Sequence, residues 1–515
     1  MSSFDYIIAG GGNSGAAIAA RLSEDPNTKV LLIEAGPHYR SLETIPKDIY
    51  SSRAVSVESH DWHYITDVIP GREFPYARGK LTGGCSSVNG TIALRGLEQD
   101  FRQWEALGND GWGWADIAPL YSRIENDIDH GFEPHHGVNG PIPIRRYQQD
   151  EYSPCVKAYR RTAMDLGYQW IPDHNHPAGQ DGVGPIPMNR GDDGVLRVSS
   201  SVAYLLAAQD RPNLTIMDKT MVNRVVFDGK KATGVEVINA SGQAETLVGG
   251  EVIVSCGSIN SPAVLLRSGI GPKDDLDRLG VSTVLGLQGV GSNLIDHSLA
   301  VVASYPKPGV VNDSDADVQV VIEYTASGSA HINDMQIYCL GKLGAERFPG
   351  ADPSRGLMFG AGVVINRPES RGRVTIDSSD PSVQPRIDHR LNSHAEDLRK
   401  MVEGVRRGYQ LLTNGALKEI SDGIAVLNDE MIADTRTIEK YVTDRSATIW
   451  HACGTCKMGP ASDNHAVVDS ALKVHGVENL RVADCSIFPD HVSRNPMLTA
   501  YVVAEKCADM IKAGR

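Results

Sequence analysis

The chain has 515 residues, more than one compact unit holds at about 150 residues per domain, so two or three joined domains are expected. Hydrophobic residues make up 41% and charged residues 22%, an ordinary globular composition that excludes disordered and fibrous classes. With 50 Lys and Arg against 64 Asp and Glu, the net charge is −14 and no basic run interrupts it, so a nucleic-acid partner is excluded. Glycine is the unusual count: 52 residues, about a tenth of the chain against an average of roughly 7%.

No apolar stretch reaches the ~18 residues that span a bilayer, so no membrane partner is expected. The opening Met1-Ser2-Ser3 runs into Tyr6-Ile7-Ile8 without a charged leader or cleavage site. Eight cysteines in a long acidic chain are too sparse for a disulfide framework and read as free thiols. A cytoplasmic protein follows as the expectation.

Residues 5–36 read as strand, glycine turn, Ala-rich helix and second strand, a βαβ unit. Gly10, Gly12 and Gly15 hold the G-x-G-x-x-G spacing. The first glycine allows the tight turn, the second lets a pyrophosphate approach, and the third lets helix and strand pack closely. The helix start offers free N–H groups and its dipole to phosphates. Glu34 closes the second strand, where a carboxylate accepts from a ribose hydroxyl. The fold class is therefore α/β with dinucleotide binding. The motif itself does not separate FAD from NAD.

Further along come ARGKLTGGCSSVNGTIALRG (77–96), GSINSPAVLLRSGIGP (257–272), GVGSNLIDH (289–297), WHACGTCKMG (450–459) and a final block from Leu480 to Ile511. Each of the first three alone is a polar, turn-rich loop. Together, and in this order, they resemble the glucose-methanol-choline (GMC) oxidoreductases over nearly the whole chain, most loosely between 300 and 440. HGVNGPIPI (136–144) and the IWHACGT context are most similar to bacterial hydroxymethylfurfural-oxidase-like alcohol oxidases.

The resemblance implies FAD, with Gly83, Gly84 and Asn89 along the flavin and Trp62, Val222 and Asp484 at flavin, adenine and ribityl groups. It adds Asn13, Ser14, Ala35, Leu81, Thr91 and Trp450 from the same motifs to the cofactor set. Several GMC members tether FAD through a histidine just before that asparagine; Val88 stands there and cannot form the bond, so non-covalent FAD is expected.

The resemblance also marks His451 as the catalytic base. Taking a hydroxyl proton while hydride leaves for the flavin needs a base, and imidazole, with an ordinary pKa near 6.5, suits that at neutral pH. Asn495 occupies the family's second position facing the substrate oxygen. Read locally, Asn495 is equally an N-cap, with Pro496 opening a helix that runs to Ile511. That helix start, near Pro496 and Met497, would aim its positive end at the flavin pyrimidine edge.

Cys453 and Cys456 form a C-x-x-C, but no second ligand cluster accompanies them, so no metal is expected. Asp296-His297 reads as a structural loop near the cofactor, and residues 174–182 as a solvated loop. The FAD domain is expected to comprise 1–150, 195–300 and 440–515, Rossmann-like and discontinuous. A substrate domain of 151–194 and 301–439 is expected to carry an antiparallel sheet from 315–365 with 371–377 as a further strand, and helices over 395–430. The expected activity is oxidation of a primary alcohol, aryl or allylic, to the aldehyde, with O2 or another acceptor reoxidising the flavin. A hydroxynitrile-lyase-like enzyme or a choline- or polyol-type dehydrogenase is the alternative. Oligomeric state is not readable.

Overall fold

A computed structural model describes residues 4–515, so the reading of Met1-Ser2-Ser3 lies outside the described residues. The strand Phe4–Ala9 pairs in parallel with Val30–Ile33 on one side and with the long strand Ala244–Val254 on the other. Val30–Ile33 pairs with Leu214–Met217, and Val254 pairs with Val482 of Leu480–Val482, all parallel. The near half of Ala244–Val254 turns antiparallel, carrying Lys231–Ile238 and then Met221–Asp228. Val30–Ile33 is fully apolar and buried, as a strand covered on both faces must be.

The helix Asn13–Leu22, eight of whose ten residues are buried, packs against Met497–Lys512. Ser14 Oγ donates to the Ala500 carbonyl at 3.0 Å, fastening the two across 486 residues. A Cβ on Gly15 would stand 1.9 Å from the Gly10 carbonyl oxygen, so only glycine permits this helix to sit so close to its strand.

A second sheet of seven strands is antiparallel. Its central order runs from Ser298–Pro306 through Leu357–Ile365 and Met335–Gly344 to Val318–Tyr324. The amphipathic helix Ala395–Leu412 lies across it. Apolar side chains gather into two main cores. The larger draws on residues 7–33, 93–144, 204–295 and 453–511, and the other on 147–188 and 300–442.

Three local readings change. The strand expected over 371–377 is Arg373–Thr375, but it pairs with Arg386–Asp388 in a separate four-stranded sheet, beside Tyr64–Ile69 and Arg72–Tyr76. Helical structure after Ala395–Leu412 and Gly415–Ile420 is broken by the strand Ser421–Ile424, then resumes to Arg445. The 174–182 stretch is only partly solvated. His174 and Asn175 are buried, His174 Nδ1 lying 3.0 Å from Glu323 Oε2 and Asn175 Oδ1 accepting the Arg95 N–H, because both satisfy polar groups the core would otherwise strand.

Candidate active site

A cavity of about 1160 Å³ runs between the two cores. Sixteen of the twenty residues expected at the site line it: Gly10, Gly12, Asn13, Ser14, Glu34, Ala35, Trp62, Gly84, Asn89, Val222, Trp450, His451, Asp484, Asn495, Pro496 and Met497. Gly15, Leu81, Gly83 and Thr91 stand behind the wall. Gly15 is consumed by packing on Gly10, and Leu81 joins Ile49 and Val88 in a small apolar cluster. Gly83 turns with a φ of +88° and donates its N–H to Gly11, while Thr91 is buried and donates its N–H to Asn89 Oδ1.

At one end of the cavity begins the helix Asn13–Leu22, whose first residues Asn13 and Ser14 line the void together with Gly84. A Cβ on Gly84 would come 2.8 Å from the Gly12 Cα, so the two glycine loops touch as only glycines can. Asn13 Oδ1 accepts the Ser86 N–H at 3.1 Å and ties them. Glu34 accepts the Gly11 and Gly36 N–H groups, and burial still pushes its carboxyl up to about 7. Asp484 accepts from Gly257 N–H, Ser261 Oγ and Ser486 N–H, with burial raising its pKa. A helix start, close-approach glycines and a carboxylate at the second strand fit a dinucleotide's pyrophosphate and ribose.

At the other end stand His451 and Asn495, with His451 Nε2 3.2 Å from Asn495 Nδ2. Asn495 does not cap the last helix. That helix runs Met497–Lys512 with Pro496 at its cap, and the Asn495 side chain turns away to His451 and to Tyr338, whose hydroxyl lies 2.9 Å from Asn495 Oδ1. Two long-range polar contacts outweigh the one local cap. Met497 packs its sulfur 3.1 Å from Asn89 Nδ2.

His451 is held from behind. Its backbone N–H donates to Asp296 Oδ1, and its Nδ1 lies 3.0 Å from His297 Nδ1. Asp296 also accepts from Tyr76 Oη and Thr448 Oγ1 and lies 3.0 Å from His389 Nε2, an arrangement that holds its carboxyl well below the usual range despite burial. Trp450 adopts a φ of +63°, uncommon for a bulky residue. Its N–H donates to Thr448 Oγ1 and its carbonyl accepts from Arg78, so both ends of the strained peptide are pinned. Burial pushes the His451 imidazole down to about 3, against the pull of Asp296 and with His491 and Arg78 pushing the same way. It is neutral at pH 7.

By sequence Asp296-His297 reads as a structural loop. Neither residue lines the cavity, yet both touch His451. Tyr76, Arg78 and Tyr338 were not anticipated. Only the fold brings them to Ala452, Trp450 and Asn495, from 157 to 376 residues away. Cys453 and Cys456 are buried in the larger core.

The family description GMC oxidoreductase matches residues 4–299 by its N-terminal part and residues 368–504 by its C-terminal part. The chain belongs to the GMC oxidoreductases. As such it is an FAD-dependent enzyme of the alcohol oxidase and dehydrogenase kind. This GMC oxidoreductase is 34% identical over 549 residues to 5-(hydroxymethyl)furfural oxidase of Methylovorus sp. (strain MP688), covering 99% of this chain and 98% of that protein. It is 33% identical over 529 residues to choline oxidase of Arthrobacter globiformis, covering 99% and 95%. Its structure superposes on that of pyridoxine 4-oxidase from Mesorbium loti with a TM-score of 0.90 at 30% identity, each chain covered to 99%. Among the described residues no helix is long and apolar enough to cross a membrane.

Proposed function

We propose that this enzyme oxidises a primary alcohol, aryl or allylic, to the aldehyde, with His451 as base and Asn495 beside the reacting oxygen. The observation that carries the reading is the 3.2 Å pair of His451 and Asn495 on the wall of the same cavity that Gly10, Gly12 and Glu34 line. FAD, when bound, supplies the hydride acceptor. Gly10, Gly12, Asn13, Ser14, Glu34 and Ala35 would hold its adenosine and pyrophosphate, and Gly84, Asn89, Asp484, Pro496 and Met497 the remainder.

The chain's own residues handle the proton. A neutral His451, its ring fixed at Nδ1 by His297, leaves Nε2 to take the hydroxyl proton. Asn495 orients the alcohol oxygen. The neighbouring wall carries Leu299, Tyr338, Leu340, Phe348, Ile449 and Trp450, an apolar and aromatic surface that excludes water and suits a flat, unsaturated alcohol. The two cores are read as an FAD domain of 1–150, 195–300 and 440–515 and a substrate domain of 151–194 and 301–439. Val88 lines the cavity without a nucleophile, which supports dissociable FAD. O2 or another acceptor completes the cycle, and a cytoplasmic setting is in keeping with eight free cysteines.

The test is anaerobic mixing of the yellow protein with a panel of primary alcohols. Bleaching of the flavin by an aryl or allylic alcohol is the expected result. A spectrum that stays oxidised throughout the panel overturns the reading, and cyanide release from a cyanohydrin under those conditions turns it into the lyase.

A further inference from the structure

Behind Asn495 a line of fully buried polar side chains leads across the antiparallel sheet. Glu323 is ion-paired with Arg494 at 2.6 Å, and burial notwithstanding its carboxyl lies below the usual range, so it is an anion and accepts only. Gln336 donates Nε2 to Glu323 Oε1 at 2.7 Å, which turns its Oε1 toward Tyr338 at 2.8 Å. The Tyr338 hydroxyl stands between Gln336 Oε1 and the Asn495 amide, 2.9 Å from the latter, and has one proton to give. Gln336 cannot turn round, because its oxygen would then oppose the Glu323 carboxylate. The Tyr338 proton therefore belongs to Gln336. On its other side Asn495 meets the neutral His451 Nε2 at 3.2 Å rather than a charge, and a half-turn of its amide exchanges oxygen and nitrogen while the heavy atoms keep their places. That half-turn gives the Tyr338 oxygen a donor, Asn495 Nδ2, and turns Oδ1 to His451 Nε2, giving up the Nδ2 contact with that nitrogen.

We infer that Glu323, Gln336 and Tyr338 are positioning residues that hold the Asn495 amide with its carbonyl toward His451. The inference rests on the proposed role of His451 as base. Opposite the lone pair of Nε2 a carbonyl gains nothing. Once Nε2 has taken the alcohol proton, the same carbonyl accepts a charge-assisted hydrogen bond from the imidazolium. The contact is thus strongest after proton transfer, which is where it lowers the barrier. The second Nδ2 hydrogen stays available for the alcohol oxygen. This offsets the burial that otherwise makes His451 a weak base.

Two variants separate orientation from bulk. Tyr338→Phe frees the amide. Gln336→Met leaves the cavity wall and Asn495 untouched but releases the Tyr338 proton to Asn495, turning the amide the wrong way. Both should lower the limiting rate of flavin reduction by an alcohol about tenfold or more, the cost of one hydrogen bond to a charged group, with FAD content unchanged, and for Gln336→Met, which lies off the cavity wall, the alcohol's Kd stays within about twofold. Gln336→Met with a wild-type limiting rate overturns the inference. Neutron diffraction of the resting deuterated holoenzyme decides it independently of turnover. Deuterium on the line from Tyr338 to Gln336, with two deuterons on the Asn495 atom facing Tyr338, is expected; deuterium from Tyr338 to Asn495 overturns it. Were no alcohol to bleach the flavin, the alcohol reading would fail while the neutron map still settled the orientation.

Discussion

Asp296 holds His451 by its main chain: the His451 N–H donates to Asp296 Oδ1 at 2.8 Å, and the ring is left to His297 and Asn495. The carboxylate fixes where the imidazole stands, and its charge favours the protonated ring against burial. Asp296→Asn puts an amide nitrogen among groups that donate, leaving a buried donor unmatched, a loss of about 1–3 kcal/mol. A lowered melting temperature together with slower flavin reduction is expected, with FAD still bound. Melting that matches the wild type would show that Asp296 is not what holds the His451 main chain.

His451→Ala should slow alcohol-driven flavin reduction by at least ~100-fold, the low end for losing a general base. Stopped-flow bleaching under nitrogen measures it. Because a base works deprotonated and burial holds His451 down to about 3, the wild-type rate should not fall through this group between pH 8 and 5. A descending limb near 6.5 that disappears in His451→Ala would contradict this.

FAD should leave with acid. No histidine precedes Asn89, and Val88 offers no atom that could bond the flavin. Precipitation with trichloroacetic acid should give a colourless pellet and a yellow supernatant. Yellow retained in the pellet would mean another residue tethers it.

Away from the cavity, His136 is buried against Glu125, Asp127 and Asp173, with Arg95 and Arg146 completing the cluster. Burial alone would lower its pKa, but hydrogen bonds to Asp173 and Glu125 raise it to about 9. A cation favoured in the folded state contributes stability that is full below the unfolded value near 6.5 and is lost as pH rises through about 9. Melting temperature should therefore decline over that window, and His136→Gln should cost most at pH 6 and least at pH 10. An equal loss at both pH values would rule out this titration.

The N-terminal βαβ unit was legible because its determinants are local: glycine spacing, an Ala-rich helix and a terminal acid all fall within residues 5–36. His451 and Asn495 were legible only through resemblance. Locally Asn495 looks like a cap, and the contacts that reassign it come from His451, 44 residues away, and Tyr338, 157 away. Asp296 reads as a loop residue because its donors, Tyr76 and Thr448, lie 220 and 152 positions off. The strand Arg373–Thr375 was found, but its sheet was not, since pairing partners on another segment decide that. Part of the glycine excess is explained where backbone meets backbone, as at Gly10 with Gly15 and Gly12 with Gly84.

The helix Asn13–Leu22 rests on Met497–Lys512, and the cavity takes its wall from Gly10 as well as from Asp484 and Asn495. During synthesis Gly10 leaves the ribosome 485 residues before Asn495. The glycine motif thus meets the residues that face it across the cavity only after Asp484 and Asn495 have been made.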